Sequence, residues 1–590
     1  MRGFGLVLWL SLMGPVQAQD AADRVAPEQP GAGMLDVPAM LTASAEAKAA
    51  GRSVEATDWM IAAANPLAVA AGSRVLAQGG TAADAMVAVQ AVLGLVEPQS
   101  SGLGGGAFLL WHDAASGEIT TLDGRETAPL AATPRLLQDA QGQPLDFFDA
   151  VIGGRSVGVP GVPALLAEAH SRWGRSDWPG LFTDAIRLAE DGFVVSPRLA
   201  TLVAQDAERL ARYADTRSYF LPDGQPVQAG DTLRNPAYAR TLRVLAEDGA
   251  QAFYTGEIAA DIAARVQNVR DNPGLLNETD LAIYSVRDRP AVCAPYRALE
   301  VCGMGPPSSG GVTVAQILGL LAPFDLAQIG SDDPEAWRLI GDASRLAFAD
   351  RGRFLADRDF VPVPVTGLLA PEYLRSRSAL LRREDALPEV APGEPEFEHA
   401  LDWGQGWSAE RPSTSHISIT DQYGNALSMT SSIENGFGAR LMVRGFLLNN
   451  QLTDFSFASH ADGRPIANAV APGKRPRSSM APTIVRRDAQ PVLVLGSPGG
   501  SRIIGYVAKT IIAWADWGMD PQRAVSLPHL VNRFGRYDVE PGAHRLAQQM
   551  RGLGYDVSMT AQTSGLHVIE IGQGLRGGAD PRREGLAYGK

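Results

Sequence analysis

Residues 411–437, RPSTSHISITDQYGNALSMTSSIENGF, constrain this chain more than any other stretch. His416-Ile417-Ser418-Ile419-Thr420-Asp421 alternates apolar with polar, the pattern of a half-buried strand. Gln422-Tyr423-Gly424-Asn425 has the composition of a turn, and Ala426-Leu427-Ser428-Met429-Thr430-Ser431-Ser432 returns as a second strand. Together they predict a hairpin. A polar run, Arg411-Pro412-Ser413-Thr414-Ser415, leads into it, so Thr414 stands at the hairpin mouth. A threonine there is ordinarily a strand-edge residue. The chemical alternative needs a base, because a threonine hydroxyl is a poor nucleophile at neutral pH without one. A chain's own terminal amine can serve. Cleavage between Ser413 and Thr414 would create it. The Thr414 hydroxyl can itself attack the Ser413 carbonyl, move the acyl group from nitrogen to oxygen, and let water release the ester.

Four ordered motifs extend this reading. Thr414-Ser415-His416-Ile417-Ser418…Asp421…Gly424-Asn425-Ala426 is followed by Leu448-Asn449-Asn450-Gln451-Leu452-Thr453-Asp454-Phe455-Ser456. Lys474-Arg475-Pro476-Arg477-Ser478-Ser479-Met480-Ala481-Pro482-Thr483 and Gly496-Ser497-Pro498-Gly499-Gly500-Ser501 come next. As an ordered set they resemble the gamma-glutamyltransferase (glutathione hydrolase) family, and the resemblance runs from about Ala62 to near the C-terminus. It implies a four-layer αββα sandwich of the N-terminal nucleophile hydrolase type, with two stacked mixed sheets flanked by helices. The helix–strand–strand–helix rhythm of the chain agrees. It also implies self-cleavage before Thr414 into a large subunit, folded from about residue 59 to Ser413, and a small one, residues 414–590. Strands from both would complete one core, so the two would stay together as a heterodimer. The implied substrate is glutathione or a related gamma-glutamyl amide, carried as a glutamyl–Thr414 ester to water or an amino acid or peptide acceptor.

Acyl transfer at an amide needs a nucleophile, a base, an oxyanion pocket and a grip on the acyl group. Thr414 with its own amine supplies the first two. Backbone amides of Gly499 and Gly500, at a glycine turn before a helix, suit the third. The resemblance supplies the fourth. Arg125, within Gly124-Arg125-Glu126-Thr127-Ala128-Pro129, aligns with a residue that pairs with the substrate's α-carboxylate, a task suited to a planar two-pronged donor. Ser478 and Ser479 align with the same carboxylate site. Gln451 and Asp454 align with positions that hold the ammonium. Ser432 aligns with a hydroxyl touching the nucleophile, where the family usually has threonine. Singly, these would be a solvated arginine, a turn-forming aspartate and strand-entry serines; as an ordered set they carry the functional reading. Three features depart from the family. Glu434 replaces a usual asparagine near the ammonium, Thr453 replaces a frequent aspartate, and the loop after Asp454, which often carries a lid, is several residues short. Glu434 and the short loop keep open a related acylase or amidase acting on cephalosporin or glutaryl side chains. An uncleaved, non-catalytic binding protein is a third reading, of another class.

The rest of the 590 residues adds bounds. Residues 1–18 read as a secretory signal: Arg2, an apolar run too short to span a bilayer, then Val16-Gln17-Ala18. The expected location is periplasmic or secreted, with no membrane association after signal removal. Residues 19–58 are expected to be a loose leader. A net charge of -13 argues against nucleic acid as a partner. Cys293 and Cys302 either pair, as an oxidising compartment permits, or stay as buried thiols. No metal-ligand spacing and no cofactor motif is present. Gly102-Leu103-Gly104…Ala107 matches a dinucleotide fingerprint only formally, since a helix precedes it and a strand follows. A glycine turn permitting close backbone approach is the better reading. Gly154-Arg155-Ser156-Val157-Gly158 matches a serine-hydrolase elbow, but Pro160 and Pro163 delay the helix such an elbow requires. Residues 384–411 read as an exposed linker ending at the cleavage point.

Overall fold

A computed structural model describes residues 37–399, 402–406 and 413–590. The expected signal, the first part of the leader, and the residues just before Ser413 lie outside the described residues. The described part of the 384–411 linker is mostly exposed or half-buried and forms no helix or strand.

Two seven-stranded sheets stack at the centre. The first runs, edge to edge, Leu586–Gly589, Met60–Ala63, Ser415–Thr420, Ala426–Ser432, Gly106–His112, Ile119–Gly124 and Arg287–Arg289. The second runs Val54–Ala56, Leu575–Ala579, His567–Ile571, Gln490–Gly496, Thr483–Arg487, Leu299–Gly303 and Val292–Tyr296. Helices Pro66–Ala77 and Ala82–Val96 cover the outer face of the first; Ile61, Ala63, Leu109 and Trp111 point into that layer. Met60, Ala62, Phe108 and Leu110 point the other way and share a buried cluster with Val494 and Ile569 of the second sheet. Helices Gly310–Leu321, Pro334–Phe354 and Ile503–Ala515 pack on the second sheet. The four-layer arrangement is as expected.

Two details differ from the sequence reading. The sheets are not mixed: every pairing in both is antiparallel. Many pairs are local hairpins, such as 415–420 with 426–432 and 483–487 with 490–496, and a short hairpin joins only antiparallel strands. The leader is also not loose throughout. Residues Thr42–Ala49 form a helix, and Val54–Ala56 pairs with Leu575–Ala579. Only Leu41, Ser44 and Ala47 of this Ala-rich segment are buried, so its order comes from docking rather than from a strong apolar period.

The central hairpin is buried on both faces rather than one. Its polar alternates face the second sheet, where hydroxyls meet backbone groups. Ser418 Oγ donates to His567 O at 3.0 Å. Ser428 Oγ donates to Leu495 O at 3.0 Å and accepts from Thr483 N at 3.0 Å. Polar positions that signal solvent in a one-sided sheet here lie between two sheets.

The glycine run before Gly106–His112 does permit close approach. A Cβ on Gly105 would lie 2.1 Å from Ser432 O, and one on Gly104 2.1 Å from Leu447 O. Ser156 is no elbow: its buried Oγ donates to Val151 O, and the next helix starts at Val162. Cys293 and Cys302 face each other across adjacent strands and are disulfide-bonded. No helix among the described residues is long and apolar enough to cross a membrane.

Candidate active site

Thr414 immediately precedes the strand Ser415–Thr420 at the centre of the first sheet. It is 4% exposed. Its φ is +91°, a conformation that a β-branched residue rarely adopts. The position is gripped on several sides. Ser413 Oγ donates to Gln99 O at 2.9 Å. Arg583 Nη1 donates to Thr414 O at 3.0 Å. Thr414 Oγ1 donates to Ser432 Oγ at 2.9 Å, and Ser432 Oγ accepts from Glu434 N at 2.8 Å. Ser432 ends the partner strand of the hairpin, so the register Ser415↔Ser431 brings the two hydroxyls together.

Thr414 opens onto a small cleft whose walls also include Ser432, Glu434, Gln451, Asp454, Ser478, Ser479 and Gly500. Residues far apart in the chain thus converge on one hydroxyl. Gln451 and Asp454 lie on a single tight turn, with Gln451 Nε2 donating to Asp454 Oδ2 at 2.9 Å. Glu434 has φ +76°, and its Oε2 accepts from Asn450 Nδ2 at 2.5 Å. Thr453 is turned to Asn450, its Oγ1 donating to Asn450 O and accepting from Asn450 Nδ2. Gly499 (φ +137°) and Gly500 (φ +58°) form the turn that enters the helix Ile503–Ala515. Such a turn leaves backbone amides for an anion. Gly499 is not on the cleft wall itself; Gly500 is.

Arg125 is placed differently from expectation. It is fully buried behind Asp454 and does not line the cleft. Its Nη2 donates to Asp454 Oδ2 at 2.5 Å and to Arg477 O at 3.1 Å, and its Nε donates to Pro476 O at 3.2 Å. Nη1 lacks a hydrogen-bond partner among the described residues and lies 3.6 Å from Glu126 Oε2. Burial pushes the Glu126 carboxyl up to about 8, against the pull of Arg125.

Ser478 and Ser479 are backed by a second guanidinium that sequence reasoning missed. Arg351 donates through Nη2 to Ser479 Oγ at 2.7 Å and through Nε to Ser309 Oγ at 2.8 Å. Ser309 Oγ in turn donates to Ser478 O at 2.6 Å. Arg351 is spaced three residues from Phe348 and from Phe354 on a buried helix face. A charge in such an apolar stripe was the available signal. Arg583, in the charged turn Asp580-Pro581-Arg582-Arg583, was missed for want of any local pattern pointing to Thr414. Among the described residues, the group nearest to a metal cluster is Cys293, Glu300 and Cys302, and its two sulfurs are committed to each other.

The arrangement is one for acyl transfer. The Thr414 hydroxyl shares its cleft with a glycine turn, an acidic wall and serines backed by arginine. Comparison with known proteins agrees. The family model described as gamma-glutamyltranspeptidase matches residues 68–589. The glutathione hydrolase proenzyme of Bacillus subtilis (strain 168) is 35% identical over 546 residues, covering 90% of this chain and 91% of that protein. The acylase ACY 1 proenzyme of Pseudomonas sp. (strain SE83) is 34% identical, covering 86% of this chain and 88% of its own length. The crystal structure of cephalosporin acylase from Bacillus halodurans superposes with a TM-score of 0.80 at 26% identity, over 91% of this chain and 97% of that one. On the site geometry and on these matches together, the chain belongs to the gamma-glutamyltranspeptidase family.

Proposed function

We propose that the protein is a secreted or periplasmic glutathione hydrolase/gamma-glutamyltransferase that cleaves itself between Ser413 and Thr414. Thr414 is then the N-terminal nucleophile. The Thr414 amine takes the hydroxyl proton as Oγ1 attacks the γ-carbonyl of the substrate. Negative charge on the carbonyl oxygen is met by amides of the Gly499–Gly500 turn, each donor typically contributing about 2.7–4 kcal/mol. The amine returns the proton to the leaving nitrogen, and the acyl group remains as an ester on Thr414. Water or an amino acid or peptide amine then attacks the ester, and Oγ1 regains a proton. Ser432 orients Oγ1 through their 2.9 Å hydrogen bond.

The observation that carries the substrate reading is the acidic wall. Two carboxylates, Glu434 and Asp454, line the cleft beside Thr414. A γ-glutamyl group bears an ammonium where a glutaryl group bears only methylene hydrogens. Carboxylate oxygens favour the first, because they accept hydrogen bonds from an ammonium and none from a methylene. Ser478 and Ser479, backed by Arg351, suit the α-carboxylate that accompanies the ammonium. The acylase reading is supported by the likeness to cephalosporin acylase across nearly the whole chain. Release of p-nitroaniline from γ-glutamyl and glutaryl anilides separates the two. We expect the γ-glutamyl compound to be preferred at least tenfold; a glutaryl preference overturns the substrate assignment. N-terminal sequencing should find a chain beginning Thr-Ser-His-Ile, absent from the Thr414→Ala variant.

A further inference from the structure

The helix Thr42–Ala49 and the turn at residues 580–585 do not line the cleft, yet both bear on Thr414. Lys48 Nζ donates to Arg583 O at 2.5 Å and to Gly585 O at 2.7 Å. Arg583 sends Nη1 to Thr414 O at 3.0 Å and Nη2 to Thr563 O at 2.9 Å. Its side chain lies flat on Gly565, where a Cβ would come within 2.8 Å of Arg583 Cδ. The Lys48 amine is held down to about 8, chiefly by burial, with Asp580 and Glu584 opposing. An amine this far removed from water needs the acceptors it has found. The link is therefore specific: one lysine fixes the backbone of an arginine, and that arginine fixes the carbonyl of Thr414.

The consequence concerns the peptide bond between Ser413 and Thr414. Ser413 is tied to Gln99 O on one side, and Thr414 is tied to Arg583 on the other. Between the two ties, Thr414 is kept at φ +91°. Breaking the bond abolishes that torsional constraint, so a tie that maintains it favours the cut. We infer that Arg583 is a positioning residue for Thr414 and that Lys48 seats it, so the N-terminal helix sets the rate of self-cleavage. The inference rests on Thr414 being the self-cleaving nucleophile. In that step Thr414 Oγ1 bonds to the Ser413 carbonyl carbon, the carbon–nitrogen bond breaks, and the hydroxyl proton passes to the freed nitrogen. Water then hydrolyses the ester, leaving the Ser413 carboxylate and restoring the Thr414 hydroxyl. Arg583 keeps its hold on the Thr414 carbonyl afterwards.

The test follows full-length precursor made by cell-free synthesis, with fragment appearance timed on denaturing gels. Arg583→Met should slow scission at least tenfold, Arg583→Lys less, and Lys48→Met three- to tenfold. The double variant Lys48→Met/Arg583→Met should be no slower than Arg583→Met alone, because Lys48 acts through Arg583. A Lys48→Met rate equal to wild type overturns the inference. So does a double variant slowed by the product of the single effects, which is what general loosening of the fold would give. If Lys48→Met does not fold, Lys48→Gln replaces it; its amide keeps a donor, and the same comparison with its double applies. A wild-type chain that stays whole, or a Thr414→Ala chain that is still cut, refutes the Thr414 assignment, and the inference falls with it.

Discussion

Glu126→Gln is the substitution whose effect follows most directly from the structure. Glu126 is fully buried next to Arg125, and neither of its carboxylate oxygens has a hydrogen-bond partner among the described residues. Burial is the main influence moving it from 4.5 up to about 8; Arg125 opposes, and Asp454 and Asp123 add to the rise. Between those two values the folded chain holds a proton that the unfolded chain gives up. The stabilisation is therefore complete below pH 4.5, declines as pH rises, and is gone above about 8. At ~1.36 kcal/mol per pH unit the interval corresponds to about 5 kcal/mol. That is a large part of the 5–15 kcal/mol typical of a whole native protein (~10 on average). Glutamine has nearly the same shape and no proton to lose, so its variant lacks this slope. The assay is thermal unfolding of Thr414→Ala with and without Glu126→Gln, so that a single continuous chain melts. An unfolding entropy of about 2.1 cal/mol/K per residue converts the full effect to about 4 °C for a chain of this length. The melting-temperature gap should move in favour of glutamine from pH 5 to 8 and stay constant above 9. Parallel melting curves across that range would refute a proton held at Glu126.

Three further outcomes are expected. Ser432→Ala removes the hydroxyl 2.9 Å from Thr414 Oγ1 and should lower kcat roughly 10–100-fold, with little change in KM, read by anilide hydrolysis. Gly499→Ala adds a Cβ at φ +137° and 2.6 Å from Tyr506 Cε2, so the turn must shift; misplacing its amides should cost about 10²–10³ in kcat. Cys293→Ser with Cys302→Ser opens a disulfide of sequence separation 9 between the edge strand Val292–Tyr296 and its neighbour Leu299–Gly303. It should cost roughly 2–3 kcal/mol by loop entropy and leave anilide turnover unchanged.

The sequence was most legible where chain-local chemistry governs. The strand–turn–strand of residues 415–432 and the glycine turn before Gly106 could be read because alternation, turn composition and the absence of a Cβ act over a few residues. The site residues on the hairpin, the 451–454 turn and the 478–479 segment could be found as an ordered set, and the structure brings them to one cleft. What was not legible is set by long-range packing. The hairpin's polar face looked solvated because nothing local announces a second sheet supplying Leu495 O and His567 O. Arg125 was read as a partner for the substrate carboxylate, but its guanidinium is buried against Asp454, 329 positions away. The N-terminal helix looked structureless because its partners, Arg583 and Gly585, stand at the other end of the chain.

The order of strands in the first sheet has a consequence for how such a molecule is made. Ser415–Thr420 is threaded between Met60–Ala63 and Ala426–Ser432, and the C-terminal Leu586–Gly589 closes the edge beyond Met60–Ala63. Severing the backbone at 413 would leave every rung of that ladder intact. The pieces could be exchanged or recombined only by dismantling the sheet. On the proposed cut before Thr414, assembly comes first and the nick second, and a cleaved particle, once denatured, should not regenerate readily from its separated halves.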